Sequence, residues 1–553
     1  MIGVICSPAD RDVVGELFEL FKTPWELWHH RGSYDVVLCN DIVDIVDINA
    51  ELILRYGARA VPLDRLQKIE IVQEKAGFGM LEHEEIRFPV YCGHLLFQKD
   101  FERSPKVKPS EIFVRHDKWE GKEVVRVGYD LWAEVRRLLT AGQPKENAHS
   151  PTLELHITLL RTLILQSGRA LVEVPPVPDG YDFIACLTHD VDHPLMRRHK
   201  WDHTMFGFIY RATYGSLRKA LLGKTTWRNV WRNWATTIRL PFIYFGLDSD
   251  PWGDFDRYID LEPGACSSFF VIPFEGRAGK KGSGSAPSGR AAGYGISHIR
   301  KQLAKILTAG CELGLHGIDA WVDAGAAREE LEVIREVTGQ RELGVRMHWL
   351  YFDEQSHAVL EEAGASYDAT VGYNETVGYR AGTCQAYKPL GTVSLLELPM
   401  HVMDTALFFP DYLDLSPAEA MDRILQVTSQ VCGIGGCITV NWHDRSIAPE
   451  RLWEDVYLDV ISEFRSRNAW FATSGQAVAW FRKRRSLRFD SVCWQEGVLK
   501  ASIPAHGRTD LPALRLRIHS KPDSYVDVTI NETCSQAGGD LPIEIALNTF
   551  ADS

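Results

Sequence analysis

The sequence predicts an α/β protein of several domains, with a parallel sheet or (β/α) barrel in its central domain. From about residue 267 to residue 371, short apolar segments alternate with segments of helical periodicity. The predicted strands are 267–272, 312–315, 344–348 and 366–371, and the predicted helices between them are 297–309, 326–337 and 354–363. Because neighbouring parallel strands need a crossover connection, this strict alternation favours parallel pairing.

The composition is that of a soluble globular protein. Hydrophobic residues make up 45% of the 553 positions and charged residues 24%. At about 150 residues per domain, this length predicts roughly three or four domains. The formal net charge of −13 argues against a general nucleic-acid binder, since nonspecific phosphate binding needs a net basic surface. The eleven cysteines include no CxxC pair, which indicates reduced thiols.

The first predicted domain, residues 1–175, is a small α/β domain of unassigned role. Its predicted strands are 2–6 and 36–39, and its predicted helices are 12–21 and 150–167. Met1 leads directly into the first strand, without a basic segment, a long apolar segment or a cleavage site. We therefore expect a cytoplasmic protein whose mature chain begins at residue 1. No uninterrupted apolar segment is long enough to span a bilayer.

The second predicted domain, residues 176–486, begins in a proline-rich linker. Its first strand runs into the stretch 184–193, Ile-Ala-Cys-Leu-Thr-His-Asp-Val-Asp-His. Alternation along an extended chain places Asp190 and Asp192 on one face, where two close carboxylates raise one pKa or bind a cation. A metal ligand beside a second, proton-accepting carboxylate is typical of metal-assisted hydrolysis. Capping and turn functions explain this stretch equally well when it is taken alone.

Further polar residues lie at the carboxyl ends of the later predicted strands of this domain, which include a strand at 437–441. They are His316, Arg346, His348, Asp368 and His443. Active sites of parallel α/β folds lie at the carboxyl ends of the strands and draw on several strands. The recurrence of His, Asp and Arg at these ends therefore favours a catalytic site over helix capping.

Two inserted segments and a final module complete the predicted organisation. Residues 197–239 mix Arg and Lys with Trp, Tyr and Phe, which is typical of a helix that binds a membrane surface or an anionic partner. The alternative, which we favour from the sequence, is an insertion that packs its aromatic residues on the domain.

Residues 275–295 are dense in Gly, Ser and Lys and predict a flexible surface loop. Residues 487–553 predict a small antiparallel β-rich module.

The segment from about residue 183 to residue 481 resembles the NodB-like polysaccharide deacetylases, also called carbohydrate esterase family four. The resemblance implies a distorted (β/α) barrel, one divalent metal ion, most often zinc, and removal of N-acetyl groups from amino sugars. Thr188-His-Asp-Val-Asp192 is similar to the family's first motif, which makes Asp190 the catalytic base and Asp192 a metal ligand. Glu312-Leu-Gly-Leu-His316 is similar to the strand that ends in the second motif, which makes His316 a ligand.

The chain departs from the family pattern at Ala320, where a second histidine ligand is usual. Either Asp319 or His348 would replace that histidine, and we favour His348, although imidazole and carboxylate both bind zinc. Arg346 lies in a segment similar to the third motif, which implies that it orients Asp190.

Three more segments carry the resemblance. Val440-Asn-Trp-His443 resembles the fifth motif, which makes His443 the general acid. Segments 379–384 and 398–404 look like signatures of a divergent intracellular branch. The candidate substrate-binding residues in these three segments are Arg380, His401, Asp404 and Trp442.

The resemblance implies a metal-dependent hydrolase that deacetylates an amino sugar in a glycan or glycan precursor of the cell envelope. A cytoplasmic location favours a nucleotide-linked or lipid-linked precursor, with peripheral contact at the inner face of the membrane. One alternative is a metal-dependent cyclic amidase, to which such barrels are similar. Another is a catalytically inactive barrel that acts as a binding or scaffold protein, an alternative motivated by Ala320.

Overall fold

The structure is a computed structural model in which two units are distinguished by their internal contacts. It describes residues 1–40, 48–98, 111–119, 121–223, 225–282, 284–448, 450–451, 453–493, 498–504, 510–522, 524–530 and 540–546. The first unit contains Met1–Gly180, Ala381–Gly391 and Ala479–Ser553, and the second contains Tyr181–Arg380 and Thr392–Val478. The predicted domain boundaries at residues 175 and 486 stay predictions.

The first unit begins with twelve strands and four α-helices in the described part of residues 1–180. The strands are β1 (Ile2–Ile5), β2 (Trp25–Leu27), β3 (Tyr34–Asn40), β4 (Ala50–Tyr56), β5 (Ile71–Lys75), β6 (Gly79–His83), β7 (Ile86–Val90), β8 (His94–Gln98), β9 (Glu111–Ile112), β10 (Val114–Trp119), β11 (Lys122–Val127) and β12 (Leu171–Glu173). The helices are α1 (Arg11–Phe21), α2 (Pro62–Leu66), α3 (Leu131–Thr140) and α4 (Thr152–Gln166).

A six-stranded sheet in the order β10-β11-β4-β3-β1-β2 organises this part of the chain. All of its pairs are parallel except β10 with β11. Helix α1 buries Val13, Val14, Leu17, Phe18 and Leu20, whose spacing of three and four residues forms one apolar face. The predicted elements at 2–6, 12–21, 36–39 and 150–167 correspond to β1, α1, β3 and α4. Strands β5 and β6 were not predicted, because their sequences, Ile-Val-Gln-Glu-Lys and Gly-Met-Leu-Glu-His, do not alternate between apolar and polar residues.

The second unit contains eleven strands and ten α-helices in its described residues, with an eleventh helix shared with the first unit. The strands are β13 (Phe183–Val191), β14 (Ser268–Val271), β15 (Lys280–Lys281), β16 (Gly284–Ser285), β17 (Glu312–Gly317), β18 (Gly344–Met347), β19 (Tyr367–Asp368), β20 (Leu396–Glu397), β21 (Val402–Met403), β22 (Cys437–Asn441) and β23 (Ala469–Phe471). The helices are α5 (His203–Tyr210), α6 (Ser216–Leu221), α7 (Trp227–Tyr244), α8 (Tyr258–Leu261), α9 (Arg300–Thr308), α10 (Ala324–Thr338), α11 (Ser356–Ala363), α12 (Asp404–Phe408), α13 (Pro417–Ile434), α14 (Glu454–Ser466) and α15 (Ser474–Ser486).

The sheet of the second unit is parallel throughout and curls into a half-barrel. Its order is β20-β19-β18-β17-β14-β13-β22-β21, and β23 also pairs with β13. All nine residues of β13 are buried, as expected for a parallel strand that is covered on both faces. The prediction of a mixed α/β protein with parallel strands is confirmed. The NodB type of the barrel stays a prediction.

The register of the parallel strands gathers the polar strand ends. His316 at the end of β17 is paired with Arg346 of β18. On the other side, Thr188 of β13 is paired with Asn441 of β22. Since the strands run in the same direction, their carboxyl ends meet at one edge of the sheet. The site is assembled at that edge.

The segment predicted as a flexible loop, residues 275–295, contains the antiparallel pair β15–β16 and a buried arginine. Arg290 donates hydrogen bonds to the carbonyl oxygens of Ala278, Ile318 and His348. It therefore joins the segment to the backbone at two strand ends. Residue 283 lies outside the described residues, and the mobility of the segment stays a prediction.

The chain ends in strands of the first unit. They are β24 (Arg488–Cys493), β25 (Val498–Pro504), β26 (Leu514–Lys521), β27 (Ser524–Ile530) and β28 (Asp540–Ala546). Their mutual pairings are antiparallel, as the alternation of apolar residues predicts, and β26 also pairs with β12. Of the predicted module, residues 494–497, 505–509, 523, 531–539 and 547–553 lie outside the described residues.

Candidate metal centre

The carboxylate of Asp190 is held by side chains from two other strands. It is buried at the carboxyl end of β13. Its Oδ1 accepts a hydrogen bond from Arg346 Nη1 at 3.1 Å, and its Oδ2 accepts one from Asn441 Nδ2 at 2.8 Å. Arg346 Nη1 also donates to Thr188 Oγ1 at 2.7 Å. These bonds fix the orientation of Asp190, which a group that accepts a proton at a defined position requires.

The imidazole of His189 faces away from this carboxylate, because successive side chains of a strand point to opposite faces. Its Nδ1 donates to the carbonyl oxygen of Trp442 at 2.8 Å, and its Nε2 lies 3.0 Å from Glu262 Oε1. His189 is therefore a buried residue of the opposite face. Asp190 and Asp192 lie on the same face, as the sequence predicts.

Three side chains from different strand ends bring their ligand atoms together, and we call them the ligand group. They are Asp192, His316 and His348. Asp192 Oδ1 lies 3.2 Å from His316 Nε2 and 3.2 Å from His348 Nδ1, and the two ring nitrogens are 3.0 Å apart. Ligand atoms at about 2.0–2.2 Å from a tetrahedral zinc ion are separated by about 3.3–3.6 Å, a few tenths of an ångström more than here. The group therefore fits a divalent cation in both spacing and donor chemistry.

Hydrogen bonds, burial and neighbouring charges all act on the three side chains of the ligand group. His316 Nδ1 donates to the carbonyl oxygen of Arg346 at 3.0 Å, so a neutral His316 directs the lone pair of Nε2 at the group. Burial lowers the pKa of His348 and favours its neutral, metal-binding form. Burial raises the pKa of Asp192, but the neighbouring His348 and His316 outweigh it and hold this pKa well below its usual range.

The pKa of Asp190 is lowered as well. Burial raises it, but the nearby His316 and Arg346 outweigh burial and the repulsion from Asp192. The sequence left two outcomes open for this pair of aspartates, a raised pKa or a bound cation. Both carboxylates are therefore held ionised, and neither has the raised pKa that the repulsion between them would give by itself.

Of the two residues considered in place of the missing histidine, His348 belongs to the ligand group and Asp319 lies elsewhere. Asp319 Oδ1 accepts a hydrogen bond from the backbone of Lys280 at 2.7 Å. Ala320 is fully buried. The ligand roles themselves stay part of the proposal below.

His443 faces the ligand group from the end of β22 and is held there by Asp404. Its Nδ1 lies 2.6 Å from Asp404 Oδ1, and its backbone N–H donates to Asp404 Oδ2 at 2.7 Å. Ser446 Oγ also donates to Asp404 Oδ2. His443 Nε2 lies 3.8 Å from Asp192 Oδ2. Burial lowers the pKa of His443, but Asp404 and the two other aspartates outweigh burial and raise this pKa to about 10.

These side chains line a cavity of about 490 Å³ in the second unit. Its remaining walls mix aromatic residues, among them Trp349, Tyr351, Phe409 and Tyr412, with the cations Lys281, Arg445 and Arg451. Flat aromatic rings and cations together suit a carbohydrate that carries an anionic group. These walls were not predicted from the sequence, because aromatic residues and arginines in loops carry no periodic signal.

The backbone is strained beside the ligand group. Trp349 and Leu350 have φ angles of 63° and 52°, in the left-handed region that side chains rarely adopt. Such conformations persist where the surrounding structure imposes them, and they cluster at functional sites. Here they follow His348 directly and leave the ring of Trp349 at the cavity wall.

The four candidate substrate-binding residues all lie outside the cavity lining. The Arg380 guanidinium donates to the carbonyl oxygen of Gly372 at 2.9 Å and stacks 4.6 Å from the ring of Phe352. His401 is buried, with its Nδ1 3.3 Å from the backbone nitrogen of Thr439. The fully buried ring of Trp442 packs 5.3 Å from Tyr457. The fourth candidate, Asp404, holds His443.

A second set of side chains that could hold a metal ion lies beneath α11, and we call it the outer group. It consists of His357, Asp368 and Glu397. His357 Nε2 lies 3.3 Å from Glu397 Oε2 and 3.5 Å from Asp368 Oδ2. Burial raises the pKa of Glu397 to about 7, and burial together with the charge of Glu397 raises that of Asp368 well above its usual range. Asp368 thus lies at a strand end, as predicted, but belongs to this second group.

Comparison with family models and with curated proteins finds no match for this chain. Among solved structures, the chain is similar to a protein from Mycobacterium smegmatis assigned as a polysaccharide deacetylase, with 20% identity over 56% of this chain and 95% of that chain and a TM-score of 0.35. It is also similar to an allantoinase, with 12% identity over 55% of this chain and 91% of that chain and a TM-score of 0.34. A third similar structure is a peptidoglycan N-acetylglucosamine deacetylase, with 10% identity over 54% of this chain and 91% of that chain and a TM-score of 0.27. The chemistry of the site is inferred from its own side chains.

Proposed function

We propose that the protein is a metal-dependent hydrolase that removes an N-acetyl group from an amino sugar in a glycan or glycan precursor. The observation that carries the proposal is the ligand group, with three ligand atoms 3.0–3.2 Å apart beside an oriented, ionised carboxylate. Asp192, His316 and His348 would hold one divalent cation, zinc in the first instance. Such a cation lowers the pKa of water and polarises a carbonyl oxygen.

The roles of the other side chains follow from their positions. Asp190 accepts the proton of the attacking water. His316 and Arg346 lower the pKa of this carboxylate, and Arg346 orients it. His443 donates a proton to the departing amine. Its raised pKa keeps the imidazole protonated at neutral pH, and Asp404 holds the ring.

The proposed substrate is a sugar precursor that bears a phosphate or another anionic group. Lys281, Arg445 and Arg451 supply cations to the cavity, and Trp349 and Tyr351 supply rings for a sugar face. A nucleotide-linked or lipid-linked amino sugar meets both requirements. The proposal includes a cytoplasmic location with peripheral contact at the inner face of the membrane.

The proposal is tested by metal analysis together with acetate release from N-acetylated sugar nucleotides and lipid-linked sugars. We expect about one metal ion per chain in the purified protein. His348→Ala should lose this ion and the activity, whereas His357→Ala, which alters the outer group, should keep both. Asp192→Ala should behave like His348→Ala.

Three results would each contradict the proposal. A chain that binds no metal after zinc is supplied would be a binding or scaffold protein. Release of a ring-opened acid from a cyclic amide, without acetate from any sugar, would make it a cyclic amidase. Loss of the metal in His357→Ala alone would place the ion in the outer group.

A further inference from the structure

The insertion before β14 has an unusual charge for this chain. Residues 203–247 contain seven Arg and Lys residues and no Asp or Glu, although the formal net charge of the whole chain is −13. The segment forms α5, α6 and α7. Among the described residues, no helix is long and apolar enough to cross a membrane.

Helix α7 has two apolar faces, of which only one is packed. Val230, Leu240 and Ile243 are buried. A second set, which we call the docking face, consists of Trp227, Trp231, Ile238, Phe242 and Phe245 at the end of the helix, all between 54% and 81% exposed. At about 100° per residue, these five positions fall within about 60° of one another around the helix. A helix on the surface of a soluble domain needs only the packed face.

Basic residues flank the docking face on one side. Arg228, Arg232 and Arg239 are exposed and fall about 40–140° around the helix from the members of the docking face. Arg239 pairs with Asp248, which follows the segment. The helix thus presents a stripe of large apolar side chains beside a stripe of guanidinium groups.

Other large side chains of the same insertion are also exposed. They are Phe206, Tyr210, Tyr214, Leu221, Leu222 and Leu247, and Trp201, just before the segment, is exposed as well. A soluble monomer rarely exposes so much apolar surface in one region. The alternative favoured from the sequence, in which the insertion packs its aromatic residues on the domain, holds for Phe208 but not for these residues.

We propose that this surface docks the protein on a lipid bilayer that contains anionic headgroups. Trp, Phe, Leu and Ile side chains insert at the headgroup level, and arginines beside them neutralise phosphates. A second copy of the chain is a poorer occupant. Two such faces would bring arginine against arginine, and the segment supplies no carboxylate to compensate.

The docking surface adjoins the candidate centre within the second unit. Phe208, Leu240 and Ile243 pack in a cluster with Trp252. The guanidinium of Arg445, which lines the cavity, lies 4.7 Å from the ring of Trp252. Docking would bring the cavity within reach of a sugar carried on a lipid. This consequence rests on the function proposed above.

The proposal is tested by sedimenting the full chain with vesicles. One set is phosphatidylcholine alone, and the other is phosphatidylcholine with phosphatidylglycerol. We expect binding to the anionic vesicles that falls as salt is added. Trp231→Ser combined with Phe245→Ser should weaken binding at least about tenfold, and so should Arg228→Glu combined with Arg232→Glu. Val393→Ser, which alters an exposed apolar residue elsewhere, should bind like the unchanged chain.

Different variants test the docking proposal and the proposed function, so that one can be contradicted without the other. Asp192→Ala should bind vesicles normally, because it leaves the docking face intact, so loss of activity in that variant says nothing against docking. Circular dichroism and the melting temperature confirm that each surface variant is folded. Absence of vesicle binding by the unchanged chain would overturn the docking proposal. A concentration-dependent dimer that Trp231→Ser with Phe245→Ser dissociates would overturn it in favour of a second copy.

Discussion

The side chain of Asp404 acts on the candidate centre through His443. One of its carboxylate oxygens is hydrogen-bonded to His443 Nδ1. The other accepts hydrogen bonds from the backbone N–H of His443 and from Ser446 Oγ. A carboxylate that faces an imidazole in this way selects the tautomer and stabilises the imidazolium. The sequence predicted a substrate-binding role for Asp404. Its contact with His443 could not be predicted, because 39 positions separate the two residues along the chain.

We expect Asp404→Asn to lower the rate of acetate release by about 10- to 100-fold at neutral pH. The amide removes the charge that raises the pKa of His443, so less of the proton donor is present. Metal content should stay unchanged, because Asp404 is not in the ligand group. Ser446→Ala removes one of the contacts to Asp404 and should cause a smaller loss. An Asp404→Asn variant with full activity would remove His443 from the role of general acid.

At the scale of elements, the outer group concentrates acidic side chains between α11 and the sheet. Glu397 Oε1 accepts from the backbone of Val371 at 2.8 Å, and Asp368 Oδ1 accepts from that of Ala369 at 2.9 Å. The remaining carboxylate oxygens converge on His357. A carboxyl group whose pKa is raised in the folded state is favoured in its protonated form. The free energy of unfolding therefore falls as the pH rises from about 4.5, the ordinary pKa of a glutamate, to about 7, the pKa of Glu397 in the folded protein.

We expect Glu397→Gln to stabilise the protein at alkaline pH. The amide cannot ionise, so the gain should be on the order of 2 kcal/mol at about pH 8 and should shrink towards zero at about pH 4. Thermal unfolding at both pH values measures the difference. A metal ion bound in the outer group would reverse the result, because Glu397→Gln would then remove a ligand and destabilise the protein at alkaline pH.

At the scale of the whole molecule, the first unit is built from three separate stretches of chain. Arg484 of α15 joins them. Its fully buried guanidinium donates to the carbonyl oxygens of Val174, Glu19 and Leu20 and to Gln385 Oε1. The last stretch of the chain is therefore part of the same packed unit as the first.

We expect Arg484→Leu to lower the free energy of unfolding of the first unit by about 3 kcal/mol or more, because several buried carbonyl groups lose their donor at once. Arg31→Leu alters an exposed arginine of the same unit and should change stability little. Urea denaturation of both variants measures the difference. Equal stability of the two variants would mean that water or other donors replace the guanidinium.

Most of what the sequence determined by itself is local. The alternation of apolar strands and helices predicted a parallel sheet, because each element must bury one face or both. The polar residues at strand ends predicted the candidate site, because parallel strands bring their carboxyl ends to one edge. Asp190, Asp192, His316, His348 and His443 were all predicted in this way as candidates, and the structure brings them to one cavity.

Only the tertiary structure decided which distant side chains meet. It placed His348 in the ligand group and Asp319 outside it, it paired Asn441 with Asp190, and it left the docking face of α7 uncovered. Each of these outcomes depends on strand register and helix packing between residues far apart in the chain. Periodicity shows that a helix has an apolar face, but packing alone determines whether that face is covered.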